Sequence, residues 1–262
     1  MKKLLGVLLG IILLTGCTKE DNVTGSIQNK GKTSILITGN ITNEQAAAQI
    51  SAEFGPYTEN VYIQNTTGLT TIDLSAFSSV VNLAIYNNSN LATINLNGLT
   101  SVYDSFMISN NNALSALSFP ALTSTPPLNN EFDIQNNPVL TSISFPVLVN
   151  SLGEFSIRNN DSLTSLLFPV LKTVIYFSIS NNSKLTSIGI ASLSSCSEDF
   201  NFRGNAFPSS QINTILNKLL TVTPATGKYI NLGGQVPPAP PTGQGIINKQ
   251  TLINAGNSVY TD

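Results

Sequence analysis

Apolar and polar positions along this chain repeat with one frame. Short alternating segments end on an asparagine: Val61 to Asn65, Leu83 to Asn87, Phe106 to Asn110, Phe132 to Asn136, Phe155 to Asn159 and Phe177 to Asn181. The anchor asparagines are 22, 23, 26, 23 and 22 residues apart. Four residues after each anchor stands a leucine (Leu69, Leu91, Leu114, Leu140, Leu163, Leu185). Seven after stands Ile72, Ile94, Leu117, Ile143, Leu166 or Ile188, and nine after stands Leu74, Leu96, Phe119, Phe145, Phe168 or Ile190. Twelve after comes Phe77, Leu99, Leu122, Leu148, Leu171 or Leu193.

Alternation with period two marks a strand with one face turned inward. It occurs twice per unit, before the anchor and around the inner Ile-x-Phe, so the frame predicts two short strands per rung. Self-similarity at a period of 20–50 residues is the signature of a stacked-repeat architecture. Rungs would stack ~4.8 Å apart, each strand column becoming a parallel sheet. Pro120, Pro146 and Pro169 follow the inner Phe, where a strand can end without losing a ladder donor. The anchor asparagine is expected at a bend, its amide bonding backbone groups that the turn leaves unpaired. Ile35–Gly39, Phe200–Gly204 and Ile230–Gly234 fit the same frame with glycine at the anchor, for nine rungs and a length of roughly 40 Å.

Other periodicities mark the ends. Thr42-Asn43-Glu44-Gln45 resembles a capping box and predicts a helix over about 43–54, stopped by Gly55-Pro56. Ile212, Ile215, Leu216, Leu219 and Leu220 fall at helical spacing, predicting a helix over about 210–221. A second short helix is expected around Thr251–Ile253 and a last strand at Val259–Thr261. Such ends would cover sheet edges that otherwise invite pairing with other chains. The expected fold is mainly β: a right-handed parallel β-solenoid with short capping helices, a single repeat unit over 34–262 whose C-terminal cap covers about 208–262.

The N-terminus carries a different pattern. Lys2 and Lys3 precede an apolar run of eleven residues, Leu4 to Leu14. Such a run is too short to span a bilayer, which takes about 20 residues, and has the length of a signal-peptide core. Leu14-Thr15-Gly16-Cys17 follows and resembles the lipobox of bacterial lipoproteins. The resemblance implies removal of residues 1–16, lipidation of Cys17, a polar linker over 17–33, and anchoring to the outer membrane. Lys19-Glu20-Asp21 is similar to the surface-export signal of Bacteroidota lipoproteins, which implies display on the cell exterior. The repeat, Phe-x-Ile-x-Asn-Asn-x-x-Leu-x-x-Ile-x-Phe-Pro-x-Leu, resembles the receptor L-domain and the leucine-rich-repeat surface lipoproteins of Bacteroidota. It departs from the standard leucine-rich repeat, where Asn lies further from the strand, and lacks the cysteines of the animal receptor domains. That resemblance implies fold and a binding role without naming a ligand.

Composition narrows the chemistry. Hydrophobic residues make up 41% of the chain and charged residues only 10%, against ~25% charged in ordinary domains. Loss of Lys2 and Lys3 would leave ten cations against fourteen anions, so the mature chain has no basic footprint for nucleic acid. There is no histidine, which excludes Ser-His-Asp and Cys-His catalysis and removes the commonest metal ligand. No phosphate-binding glycine loop precedes a helix. No cofactor is expected, and the chain reads as non-enzymatic. Cys196 reads as a small buried apolar residue.

The outward positions of the first strand column supply a candidate binding face: Tyr62, Gln64, Tyr86, Asp133, Gln135, Arg158 and Arg203. Asp133 and Arg158 fall on adjacent rungs and can pair. Tyr62 and Tyr86 also neighbour one another, and exposed aromatics suit sugars or peptide side chains. The expectation is a membrane-anchored surface for adhesion or protein or glycan binding. The alternatives are an accessory glycan-binding lipoprotein of a nutrient-uptake system and, further off, a carbohydrate-active enzyme with clustered carboxylates.

Overall fold

The structure is a computed structural model that describes residues 31–127 and 130–262. The expected signal peptide, the lipidated Cys17 and most of the linker lie outside the described residues. Among the described residues the chain is mainly β, and its parallel sheets form a solenoid of about seven turns with three short helices. The main sheet has eleven strands. Ten stack in chain order, from Ser34–Gly39 through Asn60–Thr66, Ser79–Tyr86, Ser101–Ser109, Glu131–Gln135, Asn150–Arg158, Thr173–Ser180, Asp199–Asn201 and Tyr229–Asn231 to Ser258–Tyr260, and Ser195–Cys196 pairs beside Thr173–Ser180. All its pairings are parallel. A second column runs Thr71–Asp73 to Thr93–Asn95 and then Ala116–Ser118, Ser142–Ser144, Ser165–Leu167 and Ser187–Gly189. Three rungs carry a helix where the second strand would stand. These are α1 (Asn43–Glu53), α2 (Ser209–Leu219) and α3 (Gln244–Asn254).

All four apolar columns after the anchors are buried. A fifth column, fifteen residues after each anchor, is also buried: Val80, Val102, Thr125, Ser151, Val174 and Cys196. It forms a third short ladder, running into the main strands across a register shift. Each rung therefore has three sides rather than two. Thr and Ser had hidden that column from a hydrophobicity reading. Thr125 and Ser151 satisfy each other there, their hydroxyls 2.9 Å apart. Cys196 is fully buried, and desolvation pushes its thiol up to about 11.

The phenylalanines of two columns interleave. Phe106, Phe132 and Phe155 stack with centroids 4.1 and 5.0 Å apart, and Phe119 and Phe145 stack at 4.9 Å. Edge-to-face contacts join the columns, as from Phe132 to Phe119 at 5.8 Å and to Phe145 at 5.9 Å. Both geometries suit the ring quadrupole.

The asparagine pair of each repeat divides its work. Asn65, Asn87, Asn110, Asn136, Asn159 and Asn181, the anchors, all have φ between 54° and 57°. Ordinary residues lose roughly 1–2 kcal/mol in this left-handed region, which Asn and Gly tolerate. Gly39, Gly204 and Gly234 hold the same place with φ of 80°, 68° and 67°. The buried ladder belongs to the next residue, not to the anchor: Asn88, Asn111, Asn137, Asn160, Asn182 and Asn205 are all fully buried. In each, Oδ1 accepts the backbone N–H of the preceding rung, as from Asn111 to Asn137 at 3.1 Å and from Asn160 to Asn182 at 3.0 Å. Each Nδ2 donates to a strand carbonyl of the preceding rung, as from Asn137 to Ile108 at 3.1 Å. The turn backbone, cut off from water, is thus satisfied by the rung above. The ladder begins on Thr66, whose N–H and hydroxyl both donate to Asn88 Oδ1, at 3.1 and 2.8 Å. It closes through Gln235 on the Asp262 carboxylate, which accepts from Gln235 N–H at 3.1 Å and Ala239 N–H at 2.8 Å.

The helices close edges. α1 opens on a capping box between Thr42 and Gln45. Its Gln49 Nε2 donates to Leu36 carbonyl at 3.0 Å on the first strand, and Asn43 Oδ1 accepts from the N–H groups of Thr70 and Thr71. Gln211 of α2 does the same for the last strand of the second column, reaching Ile188 carbonyl at 3.0 Å. Lys228 is buried beside the last rungs. Its Nζ donates to Val222 carbonyl at 3.2 Å, and desolvation holds its pKa below the usual lysine range.

Candidate functional site

Register decides which outward side chains of the main sheet meet. Tyr62 faces Ala84 and Tyr86 faces Gln64, so the two tyrosines of the expected face are diagonal neighbours rather than a stacked pair. The Tyr86 hydroxyl donates to Gln64 Oε1, which commits both groups to one another. Gln135 stands between Ser109 and Arg158. Arg203 is exposed, and its backbone carbonyl accepts from Asn181 N–H at 3.0 Å.

Asp133 and Arg158 do pair. The guanidinium reaches both carboxylate oxygens, Nη2 to Oδ2 at 3.2 Å and Nε to Oδ1 at 3.4 Å. The carboxylate is covered, its side chain 3% exposed, while the arginine lying over it is 44% exposed. The hydrogen bond that Arg158 donates to Asp133 raises its pKa above the ordinary value, against the desolvation that lowers it. Asp133 is thus covered by Arg158, and the arginine is the member of the pair that faces solvent.

The concave feature of this face lies one edge over, at residues the sequence reading did not single out. Among the rungs built of strands alone, one is longer than the others. Seven residues separate Ser124 from Glu131, where four separate their partners Asn150 and Glu154. The extra residues, around Pro126-Pro127, bulge at the corner between the short third side and the main strand. An insertion in one repeat emerges as a loop on one face, frequently the binding face. Beside it opens a groove of about 430 Å³ lined by Asp104, Ser105, Asn130, Glu131, Glu154 and Tyr176. A smaller hollow of about 230 Å³ continues past Glu154 and Tyr176 to Asp199 and Asn201. The 26-residue anchor spacing was the sequence signal for this groove.

Its electrostatics follow from the stacking. Glu131 and Glu154 are direct partners on adjacent strands, and Asp133 lies two residues along from Glu131. Desolvation pushes the Glu131 carboxyl up, the charges of Asp133 and Glu154 push it further, and Arg158 opposes them. Tyr176, 41% exposed, presents its ring at the same rim. Carboxylates, amides, a hydroxyl and an exposed ring make a surface that can accept hydrogen bonds and stack an apolar ring face. Among the described residues, no group of three or more His, Cys, Asp or Glu side chains is placed to hold a metal ion.

Gly153 holds the inserted loop against the neighbouring strand. A Cβ there would lie 2.4 Å from the carbonyl oxygen of Asn130, 2.6 Å from that of Pro127 and 2.8 Å from that of Pro126. Only glycine permits that approach. Gly153→Ala must push the loop outward, and overpacking of this kind costs about 1–3 kcal/mol. We expect a lowered thermal midpoint. An unchanged midpoint would show that the loop does not depend on this contact.

No helix among the described residues is long and apolar enough to cross a membrane. No protein family, curated protein or solved structure matches the chain.

Proposed function

We propose that the protein is a non-enzymatic, lipid-anchored lipoprotein that presents its β-solenoid for adhesion or for capture of a protein or glycan ligand at the outer cell surface. The observation that carries the binding reading is the groove beside the lengthened all-strand rung. A regular solenoid needs no such insertion for stability, and this one leaves polar acceptors and the Tyr176 ring around a concavity of ligand size. The anchoring half rests on the lipobox around Cys17 and on the polar linker after it. With two or three acyl chains, attachment would be effectively permanent.

Tyr176 favours a second, narrower reading, an accessory glycan-binding lipoprotein of a nutrient-uptake system, because an exposed ring beside hydrogen-bonding groups matches a sugar's apolar face and hydroxyls. The experiment is a glycan array probed with the full mature chain, with Tyr176→Ala and with Glu154→Gln. Glycan binding that both substitutions weaken about tenfold or more supports the groove as a sugar site. Binding untouched by either places the site elsewhere, and an array with no ligand removes the uptake reading and leaves protein adhesion. Release of reducing ends from a bound polysaccharide, abolished by Glu154→Gln, would refute the non-enzymatic reading. Intact-mass analysis of membrane-extracted protein tests the anchor, which fails if the mature N-terminus carries no lipid.

A further inference from the structure

A second cleft arises where the solenoid changes building material. The second-column sheet ends at Ser187–Gly189, and the next rung offers α2 in place of a strand. A helix is about 10 Å across with its side chains, whereas rungs stack ~4.8 Å apart. The helix therefore cannot sit flush on the last strand. Gln211 bridges the gap at one point, and the rest remains open as a cleft of about 430 Å³. Its volume lies in the range of small-molecule sites, ~300–1,000 Å³.

The surface of the cleft is mainly apolar: Ala191 is exposed there, Ile188, Ile190 and Ile215 show only their edges, and Gln211, Thr214, Asn217 and Thr221 complete the lining. No aromatic ring lines the cleft, so it has no stacking platform for a sugar or a base. Its one charged lining residue is Lys218. Lys218 is half-buried, and among the described residues no acid partners its ammonium. An unpaired cation lining a cleft of mainly apolar surface is complementary to an amphiphile with an anionic head.

We propose that this cleft binds a medium-chain fatty acid, its hydrocarbon lying over Ile188, Ile190, Ala191 and Ile215 and its carboxylate on Lys218 Nζ. The site is separate from the groove beside Tyr176 and does not depend on that reading. A simpler role for Lys218 is to complement the negative end of α2, in whose last turn it lies. The test separates the two.

Calorimetric titration of the full mature chain with hexanoate, octanoate and decanoate should show affinity rising about fourfold per added methylene, the ratio that burial of one CH₂ supplies. Octyltrimethylammonium should bind far more weakly than octanoate. Lys218→Gln should weaken decanoate about tenfold or more, the value of a charge-assisted hydrogen bond, and abolish the preference for the anion. Ala191→Trp, at an exposed position, should block the trough while circular dichroism stays that of the wild type. Absence of decanoate binding by the wild type overturns the proposal. So does wild-type affinity in either variant: with Lys218→Gln it would leave the lysine a helix-end residue only, and with Ala191→Trp it would place the hydrocarbon elsewhere.

Discussion

Asn137→Leu is expected to destabilise the protein by about 3–5 kcal/mol, although leucine has a similar volume and adds apolar surface. Asn137 is fully buried. Its Oδ1 accepts from Asn111 N–H at 3.1 Å and from Asn111 Nδ2 at 3.3 Å, and its Nδ2 donates to the carbonyls of Ile108 at 3.1 Å and Gln135 at 2.9 Å. Leucine leaves these partners in the core, each buried group left without a bond costing about 1–3 kcal/mol. The loss also reaches the next rung, since Asn111 is held by Asn137 as Asn137 is held by Asn160. The neighbouring Asn136 provides the contrast. It is half-buried and its value is a backbone conformation, φ 54°. Asn136→Gly should be close to neutral, and Asn136→Ala should cost about 1 kcal/mol. Urea unfolding of the three variants checks this ordering. Equal losses in Asn137→Leu and Asn136→Ala would mean that the ladder contributes no more than the turn.

That contrast also marks where the sequence was legible. The columns of Leu, Ile and Phe could be read because burial of an alternating face selects apolar residues at a fixed spacing, and all of them are buried. Asn-Asn was visible as a pair, yet spacing does not distinguish an asparagine that bends the chain from one that bonds the backbone. Both sit at a turn, and only φ and burial separate them. The third side was hidden because its column contains Thr125, Ser151 and Cys196 among valines, and two hydroxyls that satisfy each other look polar in sequence. The helix predicted over about 210–221 appears as Ser209–Leu219, while the short one expected around 251–253 extends over Gln244–Asn254. Its missed turns expose Ile246 and Ile247 and bury Asn248, the reverse of the pattern that marks a helix face.

For the candidate face, alternation placed Asp133 and Arg158 on one side of one sheet, and they pair as the rung spacing allows. It could not tell that the arginine would roof the carboxylate. Nor could it show that the concavity lay at Glu131, Glu154 and Tyr176, because Glu154 and Tyr176 follow a register shift and Glu131 follows the lengthened segment, both of which a constant frame passes over. An irregular spacing was the usable signal: the long interval between Asn110 and Asn136 is where the groove forms.

Phe132→Ala should be among the most damaging single truncations in the core, at about 4–5 kcal/mol. Phenylalanine-to-alanine changes in cores cost about 3–5 kcal/mol, and this site belongs at the top of that range. Phe132 is fully buried and touches four other rings, stacked on Phe106 and Phe155 and edge-on to Phe119 and Phe145. Such a stack cannot collapse into the cavity without tilting rings on both sides. Phe77, near the N-terminal end, has a ring contact only with Phe54, itself a partly buried residue that can move, so Phe77→Ala should cost less. Position in the stack has a further consequence. In a solenoid each rung is held only by its neighbours, so a cavity at the middle weakens the one interface through which the two halves support each other. Hydrogen exchange should then show protection falling first in the strands on either side, Ser101–Ser109 and Asn150–Arg158, while the asparagine ladder at Asn182 and Asn205 keeps its protection longer. Phe132→Leu, which refills most of the volume, should lose only about 1–2 kcal/mol and restore the uniform pattern. If Phe132→Ala instead lowered protection evenly along the chain, the rungs would be unfolding as one block, and the solenoid would be more cooperative than nearest-neighbour stacking provides.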